Sequence, residues 1–298
     1  MQHEYLLRAL SSSLQDNESR QVISTELTSL LDDVQKISSV ENIELNMQYQ
    51  LHLKLLSECG FDELKNILRE IAQQLEIDLI LKSWNDRKIV PGLLIMDMDS
   101  TLVQAETIDE IARVAGVGDK VAEITESAMR GELDFTQSLY ARVAMLEGVS
   151  LEAIESVHDC LPLTGGAKSL LKKAAENGCH TALVSGGFTH YAGPIAESLG
   201  INTLSANTLE IVDNKLTGNV LGDVVDGNSK LETLNRLKEK LGLSSEQIVA
   251  IGDGANDLPM LTAAGTGIAF HAKPTVQDQA STTLNFNDLN AVCWLLDW

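Results

Sequence analysis

Two carboxylates two positions apart close a run of apolar residues in "LLIMDMDSTLV", residues 93–103. Side by side, Asp97 and Asp99 repel each other and lose solvation on burial, so they require a positive partner. A carboxylate at the end of a buried strand, open to a crevice, can act as a nucleophile and form a covalent aspartyl intermediate, and Asp97 is placed for that role. Asp99 would then lie beside the reacting centre, able to protonate a leaving alkoxide and afterwards to deprotonate an attacking water. A hard dication would make the pair compatible, since Mg²⁺ favours one or two carboxylates together with phosphate oxygens and retained water.

Three further segments carry residues of the same chemistry. In "IGDGANDLPM", residues 251–260, Gly252 and Gly254 permit a tight strand-to-helix turn, and Asp253 and Asp257 stand four apart and can face one crevice. Asp253 reads as the direct metal ligand there, with Asn256 and Asp257 supporting it through water and substrate contacts. "LVSGGFTHY", residues 183–191, offers the Ser185 hydroxyl and the Gly186 amide at an expected helix N-terminus, which favours a phosphate. "DGNSKLETL", residues 226–234, puts Lys230 in the first turn of a helix, where the helix dipole disfavours a cation. Taken singly, each has an ordinary structural explanation: a capped helix after a strand, a common Ser-Gly-Gly turn, a solvated lysine. All of them at strand or helix ends, in this order, do not share one.

The elements that must position these residues follow from the hydrophobic pattern. Four apolar runs, "GLLIM" (92–96), "HTALV" (180–184), "QIVAI" (247–251) and "TGIAF" (266–270), lack polar alternation, as strands buried on both faces should. They alternate with amphipathic helical stretches, which predicts an α/β fold with a parallel sheet covered on both sides. Three runs end in "DMDST", "SGGFT" and "GDGAND", and ligands of open α/β sheets bind beyond the carboxyl ends of the strands, so these turns should meet. About eighty residues separate the first run from the second, where a βαβ unit takes roughly 30. The excess holds four helical patterns broken by Gly116, Gly131 and Gly148, read as a helical cap at about 105–164, with an inert decoration as the alternative.

Residues 1–85 follow another pattern. A strand near "EYLLRAL", a helix over "VISTELTSLLDDV", and alternation at Ile43, Leu45, Met47 and at Leu51, Leu53, Leu55 precede a helical stripe of Phe61, Leu64, Leu68, Ile71 and Leu75. With "DLILKSW" this gives βαββαβ, a small ferredoxin-like α+β domain. "NDRKIVPG", residues 85–92, reads as a linker into a catalytic domain spanning 86–298.

Composition narrows the function classes. The 298 residues carry 22 Lys and Arg against 43 Asp and Glu, a net charge of −21, which opposes binding to nucleic acid or to an anionic membrane. Residues Cys59, Cys160, Cys179 and Cys293 are scattered, so they read as small buried residues of a reducing compartment and no disulfide is expected. The N-terminal stretch lacks the apolar core of a secretory signal, and no apolar run is long enough to span a membrane. A cytoplasmic protein is the expectation.

The motifs "DMDST", "SGG", Lys230 and "GDGAND", in this order and context, make the chain resemble the haloacid dehalogenase (HAD) superfamily over roughly residues 88–298. Glu106 in "STLVQAETIDEIA", and Met129, Phe135 and Arg142 in "AMRGELDFTQSLYARVAML", make the cap similar to that of the branch acting on phosphoserine. The resemblance implies a HAD-type Rossmann-like sheet with an inserted cap. It also implies Mg²⁺-dependent hydrolysis of O-phospho-L-serine to L-serine and phosphate through an aspartyl phosphate, the last step of serine biosynthesis. Asp97 would be the nucleophile and Asp99 the acid and base; Asp97, the Asp99 carbonyl and Asp253 would hold the metal. Ser185, Gly186 and Lys230 would hold the phosphoryl oxygens, while Asn256 and Asp257 would order metal-bound water and phosphate. From the cap, Glu106 would pair with the substrate ammonium and Arg142 with its carboxylate, as a zwitterion requires, while Met129 and Phe135 would shield the closed site. Bacterial relatives often carry an N-terminal ACT-like segment, so residues 1–85 could be a dimerisation element, a serine sensor or an appendage, with a homodimer the preferred reading. Phosphoryl transfer to another hydroxyl such as homoserine, and a non-catalytic amino-acid-binding regulator of the same fold, are the alternatives. A dehalogenase has no use for Asp99 as an acid, and a transport ATPase would need membrane spans.

Overall fold

The computed structural model describes residues 3–14, 16–34, 36–43, 49–83 and 90–298. The N-terminal part runs β1 (His3–Leu10), α1 (Asn17–Asp32), β2 (Ile37–Ile43), β3 (Gln50–Ser57), α2 (Phe61–Leu75) and β4 (Asp78–Ser83), forming an antiparallel sheet of order β2-β3-β1-β4. Asp16 starts α1 by accepting from Ser19 N at 2.8 Å, satisfying one of the unpaired N–H groups of the first turn. The expected stripe of α2 buries Leu64, Leu68 and Ile71, while Phe61 remains 36% exposed at the helix entry. The expected alternation at Leu51, Leu53 and Leu55 lies on β3. Its partner strand differs: β2 ends at Ile43, earlier in the chain than the pattern at 43–47 implied, and Leu45 and Met47 lie outside the described residues. So do residues 85–89 of the expected linker; its last residues, Pro91 and Gly92, lead directly into the next strand.

Strand β1 is buried on both faces because its two side-chain rows serve different cores. Tyr5, Leu7 and Ala9 pack with Leu27, Leu31, Leu64 and Leu68 of the two helices. Leu10, on the opposite row, joins the core of the larger domain, as does Ile80 of β4.

The larger domain continues with β5 (Leu93–Met96), α3 (Thr107–Val114), α4 (Gly118–Met129), α5 (Phe135–Ala144), α6 (Leu151–Ser156), α7 (Ala167–Glu176), β6 (His180–Phe188), α8 (Thr189–Leu199), β7 (Thr203–Val212) and β8 (Lys215–Leu221). It ends with α9 (Gly227–Leu241), β9 (Ile248–Gly252), α10 (Leu258–Ala263), β10 (Thr266–Phe270), α11 (Pro274–Gln279), β11 (Thr282–Leu284) and α12 (Asn290–Leu295). The sheet order is β11-β10-β9-β5-β6-β7-β8, parallel except for the β7/β8 hairpin. The strands lack alternation for the anticipated reason. Leu94 and Met96 of β5 enter one core and Leu93 and Ile95 the other, on opposite faces of the sheet. From β5 the chain winds outward on one side through β6 and β7 and returns on the other through β9, β10 and β11, so a crevice opens at the carboxyl end of β5.

Helices α3 to α6 form the cap. Gly116, Gly131 and Gly148 end its helices in left-handed conformations (φ 73, 78 and 83°), which a side chain would disfavour. The two chain crossings into the cap are stitched together: Val103 bridges Leu163, Gln104 N donates to Pro162 O at 2.9 Å, and Thr164 N donates to Leu102 O at 2.9 Å. Helix α5 rests against β8, so the cap is braced on the hairpin as well as at its base. Among the described residues no helix is long and apolar enough to cross a membrane.

A polar interface joins the two domains. Asp78 is buried and accepts from Asn285 N (2.7 Å), Asn287 N (3.2 Å) and Asn287 Nδ2 (2.7 Å). Arg8 donates to Leu295 O and to Asp297 Oδ1, both at 2.9 Å. Beside it, Gln50 Nε2 donates to Trp294 O at 2.8 Å, and Tyr49 stacks on Trp294 with ring centroids 4.7 Å apart. His52 sits 2.9 Å from Gln50 Oε1, and burial followed by the Arg8 charge lowers its pKa from 6.5 to about 4.

A neutral histidine in that position couples folding to pH. Because the folded pKa lies below the unfolded one, its contribution is intact above pH 6.5 and is lost as pH falls toward 4. Denaturant unfolding should show the wild type losing roughly 2–3 kcal/mol more than His52→Gln between pH 7 and 4.5; equal losses would place the proton elsewhere.

Candidate active site

Strand register brings the three turns together. Met96 pairs with both Leu183 and Ile251, and Asp97 N donates to Ile251 O at 3.0 Å, so Asp97 and Asp253 leave the sheet at adjacent strand ends beside Ser185 of β6. Lys230 meets them from α9. Its side chain is fully buried, with Nζ 2.6 Å from Asp97 Oδ2 and 2.6 Å from Asp257 Oδ1. Burial works against this ammonium, but Asp257 and Asp97 more than compensate and hold its pKa above the ordinary lysine value. The unfavourable position of a cation in the first turn of α9 is therefore offset by two ion pairs. Met98 N donates to Asp97 Oδ1 at 2.7 Å, fixing the plane of that carboxylate.

Asp257 also accepts from Asp253 N (3.1 Å) and Gly254 N (3.0 Å). Burial and then Asp97 push its pKa up, against the pull of Lys230. Oxygens of Asp97, Asp253 and Asp257 lie within 4.8 Å of one another. Asp253 accepts from Thr101 Oγ1 at 3.2 Å, and burial followed by the charges of Asp97 and Asp257 raises its pKa to about 8. One ammonium shared by three carboxylates leaves excess negative charge, and a set of hard oxygen donors suits a divalent cation. The carboxylate cluster thus includes Asp257, read from the sequence only as support, whereas the Asp99 side chain turns elsewhere.

Asp99 accepts from Thr107 N and Thr107 Oγ1, both at 3.2 Å. Burial, then the charges of Glu106 and Asp97, push its pKa well above the usual carboxylate range. Ser100, which follows it, takes a left-handed conformation (φ 55°) and donates from Oγ to Glu106 Oε1 at 2.6 Å. The expected helix N-terminus at "SGG" is corrected: Ser185 to Phe188 extend β6 through a register shift against β7, and α8 begins at Thr189. Ser185 Oγ accepts from Gly187 N at 2.8 Å, leaving its own O–H free to point at an acceptor in the crevice. Asn256 lies in the turn between β9 and α10, its backbone carbonyl against Gly227 at the start of α9.

The cap reaches this centre unevenly. Glu106 precedes α3 and is exposed to the crevice; protein around its carboxyl, and then Asp97 and Asp109, raise its pKa against the bond from Ser100. Arg142 donates from Nε to Ser138 O at 3.3 Å and stands in the field of Asp109, Glu106 and Asp99, which oppose the lowering of its pKa by burial. Phe135 rests on the core, since a Cβ placed on Gly186 would lie 2.7 Å from its Cζ. Met129 is 67% exposed at the end of α4, its Sδ 3.8 Å from Lys273 Nζ, so it marks the rim rather than the interior.

Sequence reasoning passed over Thr107 and Gly187. Thr107 offers no signal beyond a hydroxyl at a helix start. Gly187 could have been found as the second glycine of "SGG": a Cβ there would fall on Asp99 Oδ2 and lie 2.9 Å from Met98 Cε and 3.0 Å from Ser185 Oγ. Gly252 and Gly254 likewise serve close approach, since neither has a positive φ and a Cβ on Gly252 would fall on the Asp257 carboxylate. Gly187→Ala should therefore displace Asp99 and lower kcat on a phosphomonoester roughly 10²-fold or more with little change in thermal midpoint; near-normal kcat would show that Asp99 need not stay where it is.

Comparison with known proteins agrees with this geometry. Residues 94–262 match the family model of haloacid dehalogenase-like hydrolases. A phosphoserine phosphatase of Haemophilus influenzae is 47% identical over 227 residues, which cover 76% of this chain and 72% of that protein. A HAD family hydrolase from Salmonella enterica serovar Typhi superposes with a TM-score of 0.85 at 31% identity, covering 99% of this chain and 98% of the other. The unliganded structure of a probable phosphoserine phosphatase from Vibrio cholerae superposes with a TM-score of 0.77 at 34% identity, covering 99% and 86%. The chain belongs to the haloacid dehalogenase-like hydrolases and, within them, to the phosphoserine phosphatase family.

Proposed function

We propose that this protein hydrolyses O-phospho-L-serine to L-serine and phosphate, with Mg²⁺ as cofactor. The observation that carries the reading is the pairing of unlike groups across one crevice. A nucleophilic carboxylate held by buried Lys230 lies below, and an acid and a guanidinium from the cap, Glu106 and Arg142, lie above. A phosphate alone would need only the lower half. A substrate that also carries an ammonium and a carboxylate uses both.

Asp97 attacks phosphorus, a P–O bond forms to its carboxylate, and the bond to the serine oxygen breaks. Asp99, whose pKa burial and the neighbouring acids raise, gives a proton to that oxygen in its acid form. Water then attacks the aspartyl phosphate while Asp99 takes a proton from it, freeing phosphate and restoring Asp97. Lys230 and the Ser185 hydroxyl bind phosphoryl oxygens, the Gly186 amide adds a donor, and Asp257 keeps Lys230 aimed at Asp97. Asp97, Asp253 and the Asp99 main chain would hold Mg²⁺, with Asn256 and Asp257 alongside; when bound, the ion neutralises charge shared by phosphate and carboxylates. Closure of the cap, with Phe135 over Gly186, excludes water and strengthens these interactions.

The acidic surface and the buried free thiols of Cys59, Cys179 and Cys293 suit a reducing cytoplasm. The N-terminal sheet ends in β2, whose outer edge is available to a second copy, so a homodimer through this domain remains the preferred assembly; light scattering of the full chain decides it.

The decisive measurement is phosphate release from L-phosphoserine, L-phosphothreonine and a sugar phosphate, with Mg²⁺ and with a chelator. Metal-dependent release strongest on phosphoserine, abolished in Asp97→Asn at unchanged fold, is expected. Preference for the sugar phosphate would reject the role of Glu106 and Arg142, and retained activity in Asp97→Asn would remove Asp97 as nucleophile.

A further inference from the structure

Lys273 stands at the N-cap of α11, where Ser, Thr, Asp or Asn would bond the helix amides, and it makes no side-chain cap bond. Its ammonium instead reaches the cap, 3.8 Å from Met129 Sδ, on the turn that leaves β10 beside the acid-bearing end of β9. That turn is under tension: His271 is left-handed at φ 46°, a conformation that costs a residue with a side chain. It is held by two bonds to one segment, His271 N to Leu284 O at 2.8 Å and His271 Nε2 to Asn287 O at 3.0 Å. Asn287 in turn is gripped by the N-terminal domain: buried Asp78 accepts both its N and its Nδ2, and Ser12 N donates to its Oδ1 at 3.1 Å.

A continuous path of hydrogen bonds therefore runs from β4 of the N-terminal domain, through Asn287 and His271, to the turn whose Lys273 touches Met129 at the tip of α4. We propose that Lys273 is a positioning residue for the cap and that Asp78 of the N-terminal domain holds it in register, so that this domain contributes to substrate capture across the crevice. The inference rests on the phosphoserine reading in so far as the cap carries Glu106 and Arg142. Loss of the path should let the cap open more often. KM then rises, because substrate is gripped less well, while kcat stays near normal because Asp97, Asp99 and Lys230 are untouched.

A double-mutant cycle on the full chain tests this, using any phosphomonoester that the wild type hydrolyses. Lys273→Ala and Asp78→Asn should each raise KM roughly 3- to 10-fold with kcat within about twofold, and the double variant should be no worse than the weaker-binding single one. His271→Ala cuts the same path at an exposed residue and should match them, which keeps the test open if Asp78→Asn does not fold. Multiplying effects in the double variant, an unchanged KM in Lys273→Ala, or a fall in kcat at constant KM would overturn the proposal. If wild type prefers a substrate other than phosphoserine, the functional reading fails while the cycle still decides the coupling.

Discussion

A fully buried ammonium lies 2.6 Å from two carboxylates, and the catalytic centre is arranged around that triad. Without Lys230, Asp97 and Asp257 would face each other in a desolvated space, and breaking a buried pair of this kind costs about 3–5 kcal/mol. With it, the Asp97 side chain has a buried ion-pair partner at the mouth of a hydrophobic sheet. The triad also ties α9 to β5 and to the turn after β9, elements far apart in the chain. Asp257 completes the link by accepting from two backbone N–H groups of its own turn, so the same carboxylate shapes the loop and aims the lysine.

One cation does not neutralise the site. Asp253, with its pKa raised to about 8, and Asp99 are both raised first by burial and then by neighbouring carboxylates. Those two shifts have different consequences. Around Asp253 the neighbours are acids with oxygens converging on one point, an arrangement that a dication reverses. Around Asp99 the partners are Thr107 N–H and O–H, which orient the group, while burial raises its pKa. A nucleophile, an acid and a cation site are thus separated among aspartates by what each one touches.

The N-terminal domain is joined through polar groups as well as through Leu10 and Ile80, which enter the core of the larger domain. Its sheet presents Arg8, Gln50 and Asp78 to the larger domain, and these bond chiefly to backbone carbonyls and amides of residues 285–297, with His52 beside Gln50. Bonds to backbone specify register more than they supply affinity, because each mismatch would leave a buried polar group unsatisfied. Such an interface fixes the orientation of the last strand, β11, and of the turn after β10, from which Lys273 reaches Met129 of the cap.

Much of this was legible from local pattern. Unbroken apolar runs identified the buried strands, glycines at 116, 131 and 148 marked the ends of cap helices, and the spacing of the four motifs placed Asp97, Ser185, Lys230 and Asp253 at one end of the sheet. These features depend on neighbours within a few residues, or on topology that parallel α/β chains obey generally. The β2 boundary and the extension of β6 through "SGGF" were not legible, since both depend on hydrogen bonds to another strand rather than on residue type. Nor could spacing reveal that Gly187 must lack a side chain for Asp99 to fit, that Asp257 pairs with Lys230, or that Lys273 meets Met129. The sequence determined by itself which residue types could do the chemistry and the order of the elements carrying them. Only the tertiary structure decided which carboxylate is paired with Lys230, which is bound by Thr107 and which cluster could hold a cation, because burial and charge at a site are set by residues that meet only when the chain is folded.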